Sequence, residues 1–450
     1  MRVILMAFLT LITYQSLGQV QEFKLDNGLK ILVKEDHRSP IVVSMIWYNV
    51  GSADEPGGIT GVSHALEHLM FKGTKKFPLG VFSKTIADIG GQENAFTNTD
   101  YTTYFEKLAA INLAVSFDLE SDRMQQLQFN PTEFQKEMKV IMEERRLRTD
   151  DNPQALAFER FLAAANLASP YHHPVIGWMS DLKQLKMSDA NAWYHEYYAP
   201  NNATLVVVGD VTMNNVRTLA QQYFGHLTPH PQKIRKLQTE PPALGKKQIQ
   251  VYAPAQIPAI IIGFTVPSAK TVTEHFTNDD SMAPYALELI AGILDAGESS
   301  RFNERLVRNT HVATSMAVQY TLYSRYQTLF TLYGTPEKTH SIDDLRQGIM
   351  TELNRLKTEP VSENELARVK TQIIAEKTFE RDSIFSQAME LGLLETIGLG
   401  WKTAESYAEK INSVSPELIQ KTAQRYFKEN NLTEALLIPN QPASQSGKKA

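Results

Sequence analysis

The run Gly61-Val62-Ser63-His64-Ala65-Leu66-Glu67-His68-Leu69-Met70-Phe71-Lys72-Gly73-Thr74 sets the strongest condition on how this chain can fold. As a helix it puts His64 and His68 one turn apart, separated by about 40° around the axis, so two imidazoles can converge on one metal ion. Glu67 borders that face, within reach of a water on the ion. The spacing His-x-x-Glu-His is the reverse of the zinc-protease helix His-Glu-x-x-His. A catalytic zinc usually takes three protein ligands and keeps one position for water. On that reading the fold must carry a third ligand to this helix from a distant part of the chain. The other reading is a partly buried, hydrogen-bonded cluster with no metal.

A second helical pattern, Pro131 to Arg148, offers donors. Glu137, Val140, Ile141 and Glu144 follow helical spacing, and two turns bring Glu137 and Glu144 to nearly one face with about 20° of drift. Spacing alone leaves Glu143 and Glu144 both open as the third ligand. Glu144-Arg145-Arg146 reads as a solvated helix end that carries one ligand. Tyr171-His172-His173-Pro174 reads as a loop, because adjacent histidines in a turn do not project to a common point.

The zinc-motif helix, the preceding Gly51-Ser52-Ala53-Asp54-Glu55-Pro56-Gly57-Gly58-Ile59-Thr60 and the following Phe71-Lys72-Gly73-Thr74 together resemble the pitrilysin family of zinc peptidases, family M16, which includes insulin-degrading enzyme and the mitochondrial processing peptidases. In that family a glutamate about three-quarters of a hundred residues further on completes the zinc site, and Glu144 stands 76 positions after His68. The resemblance therefore implies Zn2+ held by His64, His68 and Glu144, with Glu67 as general base. It also implies that Glu137, seven before the ligand, orients a histidine through its second ring nitrogen. By position alone Glu137 is equally a helix N-terminal carboxylate of electrostatic use.

The same resemblance extends to substrate binding. Asn94-Ala95-Phe96-Thr97 is similar to the edge on which an extended peptide adds a strand, and ordinary pairing within the fold is the other reading. Gly297 to Arg308 is similar to the family segment with a substrate-binding arginine, here Arg308. The family tyrosine seven residues later is replaced by Ser315, whose short hydroxyl cannot reach where a phenol would. Bacterial two-subunit members divide these parts, one chain carrying the zinc motif and the other the arginine and tyrosine. The resemblance thus implies a zinc endopeptidase for extended or unstructured peptides, paired with a homologous subunit lacking the zinc motif, or else a homodimer. The competing class is a catalytically weak or inactive subunit serving peptide binding or assembly.

With 450 residues the chain exceeds one core, and 42% hydrophobic and 21% charged residues describe a folded chain of two or more domains. A net charge of −5, with no dense basic patch among exposed aromatics, excludes nucleic acid as partner. Met1-Arg2, an apolar run from Val3 to Ile12, and Ser16-Leu17-Gly18 form a secretory signal peptide over 1–18. The apolar run is too short to span a bilayer, so no membrane span is expected in the mature chain. A periplasmic or secreted location follows. No cysteine is present, so any zinc is held by nitrogen and oxygen.

Asn201, Asn202 and Thr204 recur as Asn430, Asn431 and Thr433 at a common offset of 229, each set before an apolar strand. The repeat agrees with what the resemblance implies, an α+β fold of two structurally related domains, each a mainly antiparallel sheet with helices packed on it. The first spans 19–227, a linker rich in proline and charge spans 228–247, the second spans 248–440, and 441–450 is a polar tail. Long helices are expected near Ser341 to Lys357 and Ser362 to Leu394.

Overall fold

The computed structural model describes residues 18–232, 235–236, 238–275 and 281–440. The leader expected over 1–18, apart from Gly18, and the tail over 441–450 lie outside the described residues.

Eleven strands are described, in two sheets. The first sheet holds β1 (Gln21–Lys24), β2 (Lys30–Glu35), β3 (Ile41–Tyr48), β4 (Gln92–Thr97), β5 (Thr102–Ala109) and β6 (Ala203–Gly209), in the order β1-β2-β6-β3-β5-β4. The second holds β7 (Lys247–Ala253), β8 (Ala259–Val266), β9 (Ala313–Gln319), β10 (Thr328–Pro336) and β11 (Leu432–Pro439), in the order β7-β11-β8-β10-β9. Remove β1 and the two orders coincide. In each, one parallel pair (β2 with β6, β7 with β11) sits among antiparallel neighbours. The protein is therefore α+β, built of two related sheet-and-helix halves.

The repeated Asn-Asn turn has a physical use. Asn202 donates through Nδ2 to the Tyr197 carbonyl at 2.9 Å, and Asn431 to the Tyr426 carbonyl at 3.2 Å. Each ties off the end of a helix, Met187–Tyr197 or Pro416–Tyr426, before the chain enters β6 or β11. A side-chain amide satisfies a terminal helix carbonyl that has lost its own donor.

The two halves interlock. Helix Pro153–Ala165 lies on the second sheet, where Phe161 packs among Ile261, Ala435 and Leu437. Helix Ile384–Thr396 lies on the first sheet, with Ala388 and Leu391 against Val43, Trp47 and Val206. Both exchanges demand close approach: a Cβ on Gly263 would stand 2.4 Å from Phe161 Cζ, and one on Gly392 only 2.0 Å from Trp47 Cε2.

This exchange also corrects one expectation. The helix expected from Ser362 to Leu394 is two, Glu363–Glu380 and Ile384–Thr396, because the chain must turn to reach the other sheet. Ser383 makes the new start, its side chain accepting from the Ser386 N–H.

Candidate metal centre

The zinc-motif helix, Val62–Leu69, buries Val62, Ala65, Leu66 and Leu69 and turns His64, Glu67 and His68 toward β4 and helix Pro131–Arg145. Its start is fixed from outside. Gly61 adopts φ 87°, and a Cβ there would lie 2.5 Å from the Ile176 carbonyl oxygen, so only glycine fits. No side chain caps the helix locally; instead Glu55 accepts from the N–H groups of Gly61 (2.7 Å) and Ser63 (2.8 Å). Burial pushes the Glu55 carboxyl up to about 8, and the two N–H bonds oppose that shift.

Ligand atoms of His64, His68 and Glu144 all lie within 4.8 Å of one another. Glu144 Oε2 is 3.8 Å from His64 Nε2 and 3.6 Å from His68 Nε2. These gaps are too long for hydrogen bonds and close to the edge of a tetrahedron with arms of about 2 Å, which is the zinc-to-nitrogen or zinc-to-oxygen distance. His68 Nδ1 stands 3.1 Å from Glu137 Oε2, and a carboxylate on Nδ1 keeps the proton there and leaves the Nε2 lone pair free. Glu137 is itself held by Lys72 at 2.7 Å. Burial holds the His64 imidazole down at about 3, so it stays neutral, the form a metal requires. The donor set fits a zinc ion.

Glu67 accepts from the Thr97 hydroxyl at 2.5 Å, and burial pushes its carboxyl up while that hydrogen bond opposes the shift. Thr97 ends β4, which pairs with β5 on one side and is the outer strand of its sheet, so its other edge is free among the described residues. Along it Asn94 is exposed, Ala95 buried, and Phe96 and Thr97 half-buried. Glu143 points outward and pairs with Arg146 at 2.7 Å, apart from the histidines. Of the helix end expected to be solvated, Arg146 is exposed but Arg145 is not. Arg145 is buried, bonded to Glu159 (2.8 and 3.1 Å) and to the Gly177 carbonyl, and so fixes the Glu144 helix against helix Pro153–Ala165. A basic residue beside a ligand reads as solvent-facing when its partner lies in another element.

Arg308 stands in the second half on Asn303–Asn309, half exposed, donating to the Glu298 carbonyl at 2.5 Å. None of its contacts reaches the histidine cluster. Ser315 is exposed on the outer strand β9. His172 and His173 sit in adjacent edge-to-face rings and form no metal group among the described residues. Two supporting roles carried no signal in the sequence. One is the distant cap from Glu55, and the other is the grip of Thr97 on Glu67, because strand pattern does not reveal what an edge hydroxyl faces.

Two family models match this chain: "Insulinase (Peptidase family M16)" over residues 30–177 and "Peptidase M16 inactive domain" over 184–373. The zinc protease PqqE of Helicobacter pylori is 28% identical over 421 residues, covering 92% of each chain. The probable mitochondrial-processing peptidase subunit beta of Arabidopsis thaliana is 24% identical, covering 93% of this chain and 78% of that one. The crystal structure of a protease from Helicobacter pylori matches with a TM-score of 0.87 and 27% identity, over 94% of this chain and all of that one. The chain belongs to peptidase family M16.

Proposed function

We propose that this chain is a zinc-dependent endopeptidase for extended or unstructured peptides, working beside a homologous subunit that lacks the zinc motif. The observation that carries the reading is the meeting of His64, His68 and Glu144 within 4.8 Å, with the Glu67 carboxylate on the same helix. That several relatives bear the name zinc protease supports zinc as the ion. When bound, zinc would polarise the scissile carbonyl and lower the pKa of water to about 7.

The remaining chemistry belongs to the protein. Glu67 accepts a proton from the attacking water and returns it to the leaving amine. Its raised affinity for a proton, caused by burial, suits both transfers. Glu137 keeps His68 in the tautomer with Nε2 free. The free edge of β4, with Asn94, Ala95, Phe96 and Thr97, would bind the substrate as an added strand, which requires it to be extended.

Arg308 without its family tyrosine supports a divided enzyme, as does likeness to a protein named a processing-peptidase subunit. A homodimer would leave the same donor missing. No described helix is long and apolar enough to cross a membrane, and the leader pattern of residues 1–18 supports a periplasmic or secreted location.

The test is metal content. Purified protein should hold one zinc per chain, and Glu144→Gln should lose it far more readily than Glu143→Gln. Equal retention by the two variants would remove Glu144 from the ligand set.

A further inference from the structure

We propose that Arg325, in the second half, is a positioning residue for the peptidase site of the first half. This rests on the peptidase reading above and adds a residue to it. Arg325 lies in the loop between β9 and β10. The corresponding loop of the first half is the turn Asn98-Thr99-Asp100 between β4 and β5, and the two meet. The Arg325 N–H donates to Asp100 Oδ2 at 2.9 Å, and its guanidinium donates to the Asp100 carbonyl, to both oxygens of Asp54 (3.0 and 3.1 Å) and to Asn49 Oδ1 (3.0 Å). Tyr171 completes the knot: its hydroxyl donates to Asp100 Oδ2 at 2.6 Å, and its ring meets Tyr326 edge-on at 5.5 Å. Arg325 is 6% exposed and Asp100 3%, so these charges are paired away from water.

Two short paths lead from this knot to the reacting groups. Through Asp100 it grips the turn that ends β4, and Thr97, one residue before that turn, holds the Glu67 carboxylate. Through Asp54 it fixes the segment whose next residue, Glu55, caps the helix of His64 and His68. The two paths are also tied to each other. Ser52 N–H donates to the Asn98 carbonyl at 3.1 Å and Ala53 N–H to the Thr99 carbonyl at 2.8 Å. A Cβ on Gly51 would stand 2.4 Å from the Asn98 oxygen, so the segments are as close as backbone allows. Only a planar fork with several donors can serve Asp54, Asn49 and the Asp100 carbonyl at once. Removing the guanidinium takes the donor from the Asp100 carbonyl and from Asn49 Oδ1 and leaves Asp54 with only the Gly51 N–H and the Arg235 guanidinium, so both paths loosen. Thr97 at the end of β4 and the zinc-motif helix that carries Glu67 are thus set against each other by a guanidinium from the other half.

The experiment compares wild type, Arg325→Gln, Thr97→Val and the double variant in the full zinc-loaded chain with its partner subunit. Steady-state cleavage of an unstructured peptide and hydrogen exchange by mass spectrometry are both read. Arg325→Gln should lower kcat by about 10- to 10²-fold with little change in KM, the scale on which small misplacements act. It should speed exchange in residues 62–69 and 92–100 and leave helix Ile342–Thr358 unchanged. In the Thr97→Val background the same change should cost less than it does alone, because the path through Thr97 is already cut and only that through Glu55 remains. Fully additive losses, or unchanged exchange in those two segments, overturn the proposal. If wild type cleaves nothing, the peptidase reading fails and exchange alone decides: loosened segments support the role of Arg325, and unchanged ones reject it. Should Arg325→Gln not fold, Tyr171→Phe removes one donor to Asp100, keeps the ring, and takes the same measurements.

Discussion

The zinc-motif helix and helix Ala283–Asp295 occupy equivalent places in the two halves, yet among the described residues only the first presents side chains grouped closely enough to hold a metal. Val62–Leu69 packs on β4, on helix Pro131–Arg145 and on helix Met187–Tyr197; Ala283–Asp295 packs on β9, on helix Glu363–Glu380 and on helix Pro416–Tyr426. Where the first arrangement gathers His64, His68 and Glu144, the second borders an open cavity of about 370 Å³ lined by Glu288, Asp295, Glu376, Glu380, Lys377 and Tyr407 among others. No histidine lines it. The same frame thus carries two different sets of polar side chains, and the difference lies in a few positions on matching helices. Strand order and helix packing alone would not tell the halves apart; donor identity does.

The largest effect expected from this contrast is at Glu67. Glu67→Gln should keep the zinc and the fold while peptide hydrolysis falls by about 10²- to 10⁴-fold, the usual share of a general acid-base group. Metal content measured beside turnover checks it. Comparable loss of zinc would make Glu67 a ligand instead of a base.

Next in size is the missing donor. Position 315, on the outer strand of the second half, is a serine where the family resemblance expects a phenol. Loss of one oxyanion donor costs about 10²- to 10³-fold. The isolated chain should therefore cleave unstructured peptides poorly, and a homologue lacking the zinc motif should restore turnover on that scale. Ser315→Tyr should recover activity only if the second half can close over the zinc of its own chain. Full activity of a verified monomer would show that this chain needs no such partner.

The acidic cavity of the second half gives a pH test of about 3 kcal/mol. Burial pushes the Glu288 carboxyl up to about 7 from an ordinary 4.5, against the hydrogen bond from Tyr407 at 2.7 Å. A raised folded-state value means the folded protein holds a proton that the unfolded chain has released. Stability from this group is complete below about pH 4.5 and declines as pH rises through about 7. Glu288→Gln should flatten that decline, as read by denaturant unfolding across the interval. An unchanged pH dependence would show that this carboxyl does not titrate with folding.

How much of this could be read beforehand depended on the range of the interaction. The zinc helix and the Asn-Asn repeat were legible because their patterns are local: two histidines four apart, and a pair of asparagines before an apolar strand. The related architecture of the halves was legible for the same reason. Glu143 and Glu144 could not be separated by spacing because adjacent helix positions differ by about 100°, and only the direction of the whole helix says which one faces inward. Arg145 and Arg325 were opaque on other grounds. An arginine at a helix end or in a loop has the same local pattern whether it meets water or Glu159, Asp54 and Asp100. The break at Ser383 was hidden because apolar positions continue across it while the surface they pack on changes from one sheet to the other.

The exchanged helices supply the smallest and most local comparison. Gly392 lies inside helix Ile384–Thr396, where alanine would ordinarily gain about 1 kcal/mol in helix propensity. Here its Cβ would fall 2.0 Å from Trp47 Cε2 and 2.1 Å from Nε1, and the indole, fully buried in the first sheet, cannot swing aside. Gly263 is the counterpart in the second sheet, with Phe161 Cζ at 2.4 Å and its next ring atom at 3.2 Å. A single end atom of a ring is relieved by a smaller tilt than two atoms of an indole edge. Overpacking of this kind costs about 1–3 kcal/mol, so Gly392→Ala should lower the denaturation midpoint, and Gly263→Ala should do so less. If Gly392→Ala were instead stabilising, its propensity gain would have won, and the helix would stand further from the first sheet than Trp47 now implies. A cost in both variants, with the two halves still unfolding in one transition, would show that exchanging helices makes the pair a single cooperative unit. Separate transitions would show two halves that fold independently despite the exchange.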